Sequence, residues 1–386
     1  MRQINRVFEI FQKLLKAKYV LTLPKKNDFL IFDRNSTKVL KKTFPKKKFF
    51  TLDTRYETIN LFIVFKTFLG FRFSYKSYIK KFIEYINPKV LITLIDNNKF
   101  FFKIKLKNGV KILIQNSRRG QFVDLFGNTN NSEKKEGYKV DYMFVQNKHI
   151  GKLYNKFIKG RIIPFGNIRS NNEKIVKVKK KYDLIYISTG RYDLGYDFII
   201  GGIKKKKIYE KEIELLKLLK KFCQKNKIKL FVLGKDIDFI KEKKYYKNAL
   251  GEKNFHFIKN YKNRKTYKII DNCNMIVGMD STLIYEAFSR GAKCFFASFR
   301  FGLNFHIKST AFPWPQKLPS RGKFWINYFD KRKVYQSLME VYFLKKKQWH
   351  KVSKKFKNDV MPYDVNNSIL RKYLEPLLSK KYKSYD

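Results

Sequence analysis

Two hydroxyl residues and a carboxylate near the start of a predicted helix form the most informative chemical pattern in this sequence of 386 residues. Ser281 and Thr282 stand where the helix begins, and Glu286 follows one turn later on the same face. The free backbone N–H groups at such a terminus bind anions, and the hydroxyls would add donors to a phosphate. A carboxylate one turn deeper can accept hydrogen bonds from the paired hydroxyls of a ribose. The spacing therefore predicts a nucleotide site.

Each of these residues also has an ordinary structural explanation. Asp280 or Ser281 is a good helix N-cap. Glu286 could pair with Arg290 at i,i+4, and Gly291 could end the helix. The segment alone leaves both interpretations open.

Further polar residues follow predicted strands, which is where ligands bind in open parallel sheets. In the second half, Gly190 and Arg191 follow one strand, and Gly234 and Lys235 follow the next. Backbone N–H groups at Gly190, together with the Arg191 guanidinium, could bind a diphosphate. Both pairs could equally be turns or loops that carry a surface cation.

Polar residues of the first half are predicted to face the second half across a cleft. Asp96 is the best-placed carboxylate to act as the general base that an inverting transferase needs, and Asp280 is the second candidate. The neighbouring asparagines could instead cap a helix, and the arginines could be a solvated pair. The predicted residues of the acceptor side are Asn97, Asn98, Gln115, Asn116, Arg118 and Arg119.

Metal, redox and membrane-spanning chemistry are not indicated. The four histidines show neither HxxxH nor HxH spacing, so we expect no bound metal and no cofactor besides the donor substrate. The three cysteines lack CxxC spacing, which favours a reducing compartment. There is no GxxxxGK[ST] loop or GxSxG motif. Without a run of about 18 apolar residues, no membrane span is expected.

The elements that must position these residues alternate between short apolar runs and helical stretches, which predicts βαβ units and parallel sheets. A polar, basic stretch at 167–181 predicts a linker. We therefore expect an α/β protein with an N-terminal domain at 1–175, a C-terminal domain at 176–340 and helices at 341–386. A helix is predicted for 147–159. The strands predicted around the site residues are 29–32, 49–52, 90–95, 110–114, 142–145, 161–164, 182–189, 229–233, 255–258, 275–277 and 293–297.

The pattern strand–G-x-D-S-T-x-x-x-E-A-x-x-x-G–strand, from Gly278 to Gly291, resembles the donor-binding region of GT-B glycosyltransferases and their relatives. The relatives include CDP-glycerol glycerophosphotransferases and non-hydrolysing UDP-sugar 2-epimerases. Within this group, the chain most resembles a family of bacterial surface-carbohydrate biosynthesis proteins, over most of its length. A second Glu eight residues from Glu286 is absent, so the paired-Glu form of the motif is not present.

The resemblance implies two Rossmann-like domains facing a central cleft, with the last helix returning to the first domain. It also implies that Ser281 and Thr282 hold the donor phosphates and that Glu286 holds the nucleotide ribose. The implied function is metal-independent transfer of a sugar or related group from a nucleotide-activated donor to a surface-polysaccharide or lipid-linked acceptor. A UDP-sugar 2-epimerase or a CDP-glycerol glycerophosphotransferase is the alternative with the same fold.

The net charge of +56 indicates either a polyanionic partner or a coding bias, because Lys, Asn, Ile, Phe and Tyr are all abundant. A charge-driven nucleic-acid-binding protein is the non-enzyme alternative, but no known nucleic-acid-binding motif supports it and no specific nucleic acid is expected. Residues 1–20 are typical of a basic amphipathic helix rather than a signal peptide. Such a helix would hold a cytoplasmic protein peripherally on the anionic inner face of the cytoplasmic membrane.

Overall fold

The computed structural model describes residues 2–70, 74–118, 137–176, 180–189, 199–200, 203–235, 238–259, 265–299 and 311–379. Most of them belong to two parallel sheets with helices packed on their faces. The predicted α/β class, with parallel sheets and C-terminal helices, is confirmed.

The first sheet has six strands, all parallel, in the order β3-β2-β5-β6-β7-β8. Apolar runs such as Phe29–Phe32 are buried at every position, as expected for strands covered on both faces. Successive residues point to opposite faces, so that Leu30 and Ile31 lie in separate cores. The strands are β2 (Phe29–Phe32), β3 (Phe50–Leu52), β5 (Val90–Thr93), β6 (Val110–Ile114), β7 (Tyr138–Val145) and β8 (Ile158–Pro164).

The helices of this half connect its strands. A further short helix, α7 (Ile168–Asn171), follows the last strand, β8, and leads toward the second sheet. The helices are α2 (Arg34–Thr43), α3 (Leu61–Phe68), α4 (Tyr75–Ile86), α5 (Lys99–Lys103) and α6 (Lys148–Tyr154).

Residues 2–20 and 58–60 add a small piece to this domain outside its six-stranded sheet. Helix α1 (Arg2–Leu15) leads into strand β1 (Lys18–Val20), which pairs in parallel with β4 (Thr58–Asn60). Among the described residues, no helix is both long enough and apolar enough to span a membrane.

The second sheet has seven strands in the order β13-β12-β9-β14-β15-β17-β16, parallel except for the pair β16–β17. A short antiparallel pair, β10 (Ile199–Ile200) and β11 (Ile203–Lys204), lies outside it. The strands of the second sheet are β9 (Tyr182–Ile187), β12 (Leu230–Leu233), β13 (His256–Ile258), β14 (Cys273–Gly278), β15 (Cys294–Ala297), β16 (Arg321–Gly322) and β17 (Trp325–Ile326).

Helices cover both faces of the second sheet, and the chain then returns to the first. Leu370 and Leu374 of α14 are buried in the same core as Phe144 of β7. The return needs Gly166, whose φ is +87° and where a Cβ atom would overlap the carbonyl oxygen of Pro362. The helices are α8 (Lys205–Lys225), α9 (Phe239–Leu250), α10 (Lys265–Asp271), α11 (Thr282–Ser289), α12 (Lys331–Phe343), α13 (Lys346–Val360) and α14 (Ser368–Ser379).

One predicted element is wrong in its length. The helical spacing at 147–159 continues through Phe157 and Ile158, but α6 ends at Tyr154 and Ile158 begins β8. The side chain of Ile158 is fully buried in the core of the first domain. Sheet pairing with Tyr138 therefore outweighs the helical periodicity.

Candidate functional site

A cavity of about 1000 Å³ lies where strands of both sheets end. We call it the main cavity. Ser117, three residues after the end of β6, lines the cavity from the first domain. Gly234, directly after β12, lines it from the second domain. The other lining residues are Lys38, Val39, Lys42, Asn116, Arg169, Asn172, Glu173, Ile187, Lys235, Thr266, Tyr267, Ser281, Thr282, Leu283 and Glu286.

The N-terminus of α11 forms part of this lining. Ser281 is the N-cap, and its hydroxyl accepts a hydrogen bond from the backbone N–H of Leu283 at 3.4 Å. Thr282 Oγ1 accepts one from the backbone N–H of Arg118 at 3.2 Å, which ties the two domains together beside the cavity. Ser281 therefore caps the helix and also lines the main cavity, and its contact with a donor phosphate stays a prediction.

Glu286 is the buried carboxylate of the main cavity, only 6% exposed. Tyr267 donates its hydroxyl proton to Glu286 Oε2 at 3.1 Å. Burial raises the pKa of Glu286 to about 7, although this hydrogen bond and the positive charges of Arg169 and Arg290 oppose the shift. Near neutral pH the carboxyl group is thus poised between its charged and neutral forms.

Arg290 pairs with Asp271 rather than with Glu286, at 2.5 Å, and both side chains are buried. Its other N–H groups donate to the backbone carbonyls of Ser170, Glu173 and Lys174, after the first sheet. The simple i,i+4 pairing considered for Glu286 is therefore wrong. The predicted end of the helix at Gly291 agrees with a φ of +96° at that residue.

The loop at Gly234 and Lys235 is held by buried carboxylates that the sequence did not single out. The backbone N–H of Lys235 donates to both carboxylate oxygens of Glu242, at 3.0 and 3.1 Å, and its ammonium donates to the carbonyl of Thr189 at 3.2 Å. Thr189 in turn donates to Glu212. Glu212 and Glu242 are fully buried, so they fix the two strand ends that border the cavity.

The first domain contributes cations that sequence reasoning also missed. Arg169 donates to Asn116 Oδ1 at 2.9 Å and lines the cavity with Lys38. Lys42 forms an ion pair with Glu173 on the same wall. No local sequence pattern identifies these residues as part of a site, because α2 and α7 come close to the second domain only in the folded protein.

The carboxylate predicted as the first candidate base does not line the main cavity. Asp96 is 1% exposed, and its Oδ2 accepts a hydrogen bond from Tyr154 at 2.5 Å. Asp280 is half-buried directly before Ser281, but it is not among the lining residues either.

The predicted residues of the acceptor side separate into different places. Asn97 and Asn98 line a second cavity of about 550 Å³ rather than the main one, and Asn98 caps α5. The side chain of Gln115 is fully buried and bonds the backbone of Ser117 and Gln146. Asn116 lines the main cavity, and its role on the acceptor side stays a prediction.

The second cavity lies at the carboxyl ends of β2, β3 and β5. Its lining includes the cations Arg55, Lys76, Lys99 and Lys103. Asp33, buried and at a φ of 84°, is paired with Arg55 at 3.2 Å.

Arg118 lies between the domains, with its guanidinium 4.7 Å from the ring centroid of Tyr285. Three predicted residues, Gly190, Arg191 and Arg119, lie outside the described residues.

Solved structures with similar folds include the H548A variant of the wall teichoic acid polymerase TagF. It is 13% identical, with a TM-score of 0.51, over 92% of this chain and 90% of that one. S. aureus MnaA with UDP is 12% identical, with a TM-score of 0.51, over 96% of this chain and 100% of that one. These similarities confirm the GT-B fold.

TarM is 14% identical with a TM-score of 0.46; the match covers 80% of this chain but only 59% of TarM, so this chain spans less than two thirds of its length. No curated protein has a sequence that matches this chain. Residues 112–378, more than half of the chain, match a protein family described as "putative O-antigen biosynthesis protein". The chain belongs to this O-antigen biosynthesis family, in agreement with the predicted surface-carbohydrate family.

Proposed function

We propose that the protein transfers a sugar, or a related group, from a nucleotide-activated donor to a surface-polysaccharide or lipid-linked acceptor. The observation that carries the proposal is the main cavity, in which the N-terminus of α11 and the buried Glu286 face one space. A helix N-terminus suits a phosphate, and a carboxylate one turn deeper suits a ribose. Membership of the O-antigen biosynthesis family supports a carbohydrate substrate.

The donor would lie along α11. Its diphosphate would accept hydrogen bonds from backbone N–H groups near Ser281 and Thr282, and its ribose hydroxyls would donate to Glu286. Arg169 and Lys38, which line the cavity from the first domain, would offset the negative charge that develops on the leaving diphosphate. These cations supply the electrostatic role that a divalent metal has in other transferases, so the proposed reaction uses none.

Proton transfer from the acceptor hydroxyl would need a carboxylate close to the donor. Of the two predicted residues, Asp280 is favoured because it is half-buried directly before Ser281, whereas Asp96 is committed to Tyr154. The acceptor would enter from the first domain, where the second cavity offers Asn97, Asn98 and a cationic lining. With a lipid-linked acceptor, the protein would work peripherally at the inner face of the cytoplasmic membrane.

A thermal-shift screen against UDP, GDP, CDP, CMP, ADP and their sugar or glycerol conjugates tests the donor site. Ligand at a hundred times its Kd stabilises the folded state by about 2.7 kcal/mol. We expect one base to stabilise the wild type, and Glu286→Ala to bind it at least tenfold more weakly. The exposed Glu340→Ala is the matched control and should behave as wild type.

The same screen can refute the proposal. Equal shifts in the wild type and Glu286→Ala for every nucleotide, fading as salt is added, would mean that only net charge attracts the ligands. Turnover of a nucleotide-sugar without any acceptor would favour an epimerase with the same fold.

A further inference from the structure

Large apolar side chains are exposed mainly on one part of the first domain. Of the fifteen that the described residues leave exposed, nine lie between residues 8 and 69. Phe8, Phe11 and Leu15 of α1 are 60%, 56% and 69% exposed. An amphipathic helix normally buries its apolar stripe against a core, whereas α1 leaves these three in solvent.

Helix α3 contributes a second exposed apolar group. Its buried residues Ile63 and Thr67 face the domain core, but Phe65 and Phe68 are 61% and 69% exposed, and Leu69 directly after the helix is 61% exposed. The local sequence gives α3 little polarity on its outer side. These side chains are exposed because the helix packs only one of its sides against the domain core.

A small two-stranded sheet links the two groups. Strand β1 starts three residues after α1 ends and pairs with β4, and α3 begins directly after β4. Strands of three residues are about 10 Å long. The side-chain amide of Asn60, the N-cap of α3, donates to the carbonyl of Thr22 at 2.8 Å, which holds the segment with exposed Leu21 and Leu23 against the start of α3.

The segment that carries most of these apolar residues is also rich in cations. Residues 2–26 contain seven Lys and Arg and one Glu, a formal charge of +6. Lys66 adds another cation within α3. A second copy of the same face would bring two such positive charges together, which disfavours self-association. An anionic lipid surface accepts both the apolar side chains and the charge.

We propose that α1, the segment at 19–23 and the outer side of α3 form one membrane-docking face for anionic lipid bilayers. The exposed aromatic and leucine side chains would enter the boundary between headgroups and acyl chains, and the lysines and arginines would contact lipid phosphates. This deepens the membrane association in the proposed function, since it adds α3 to the N-terminal helix. It does not depend on which nucleotide the main cavity binds.

Sedimentation with vesicles of phosphatidylglycerol and phosphatidylcholine, against vesicles of phosphatidylcholine alone, tests the face in the full chain. The α1 variant is Phe8→Ser, Phe11→Ser and Leu15→Ser, and the α3 variant is Phe65→Ser and Phe68→Ser. The matched control is Ile240→Ser with Phe343→Ser, exposed apolar residues of the second domain. All substituted residues are exposed, so folding should be kept, and a thermal melt checks it.

We expect the wild type to bind the anionic vesicles at least tenfold more tightly than the neutral ones. The α1 variant and the α3 variant should each lose at least tenfold in affinity, and the control should bind as wild type. Wild-type binding by the α3 variant, or equal losses in the control, would overturn the inference.

Sedimentation velocity without vesicles tests the alternative in which a second copy of the chain binds this face. A wild-type dimer that both variants convert to a monomer, with no preference for anionic vesicles, would make the face a self-association surface and overturn the inference. A nucleotide thermal shift measured on the same variants is a separate readout of the main cavity. Failure of the docking face and failure of the proposed donor site can therefore be told apart.

Discussion

Replacing Glu286 by Gln is expected to raise the free energy of unfolding of the ligand-free protein at pH 8. Burial shifts the pKa of this carboxyl group from 4.5 to about 7 in the folded state. The folded protein therefore binds the proton more tightly than the unfolded chain does. Stability is favoured while the group is protonated in both states and falls as pH rises from about 4.5 toward 7.

The magnitude follows from the size of the shift. From 4.5 to about 7, at 1.36 kcal/mol per pKa unit, the buried charge costs about 3 kcal/mol above pH 7. Glutamine has nearly the same shape and can still accept the hydrogen bond from Tyr267, but it cannot ionise. The gain from Glu286→Gln should thus be about 3 kcal/mol at pH 8 and less than about 1 kcal/mol at pH 5.

Urea denaturation of the wild type and Glu286→Gln at pH 5 and pH 8 measures both values, with the exposed Glu340→Gln as the control. A difference in the free energy of unfolding that does not change between these pH values would refute the reasoning, because it would mean that Glu286 does not ionise in this window.

The same ionisation predicts how ligand binding depends on pH. In the proposed site the ribose hydroxyls would donate to the charged carboxylate, so nucleotide affinity of the wild type should rise as pH increases through about 7, with release of a proton near neutrality. Titration calorimetry in buffers of different ionisation enthalpy measures that proton. Affinity that is constant from pH 6 to pH 8 would contradict the assignment of Glu286 to the ribose.

Three further changes probe other contacts. Arg290→Met should destabilise the protein by about 3–5 kcal/mol in urea denaturation, because it leaves the carboxylate of Asp271 buried without its partner; a loss below 1 kcal/mol would show that the ion pair matters little. Ser281→Ala should cost about 1 kcal/mol of stability and also weaken nucleotide binding, and unchanged binding would place the phosphate elsewhere. Arg55→Ala should raise the KM for the acceptor but leave the nucleotide thermal shift intact, whereas the reverse pattern would remove the second cavity from acceptor binding.

The positions of most strands were predictable because a buried strand requires a continuous run of apolar residues in the sequence. The run at Phe29–Phe32 is apolar at every position and buried at every position, as a strand covered on both faces requires. The end of α6 was not predictable, since Ile158 satisfies helical spacing and strand pairing equally well in the sequence.

The predicted donor residues lie together because their relation is local. Ser281, Thr282 and Glu286 belong to one helical turn and its cap, so their common position on the main cavity follows from the spacing. The predicted base is a different case. Asp96 lies three residues after the end of β5, at the expected edge of the sheet, but its side chain turns toward Tyr154, and only the packing of α6 decides this.

The sequence by itself therefore determined the alternation of strands and helices and the grouping of Ser281, Thr282 and Glu286 at the start of α11, both of which depend on residues a few positions apart. Only the tertiary structure decided that Arg169 faces the cavity, that Arg290 pairs with Asp271, and that Asn97 lines a second cavity. These contacts join residues far apart in the chain. The periodicity of a single helix or strand carries no information about which distant surface that element will contact. These contacts are therefore decided by how the two sheets and their helices pack.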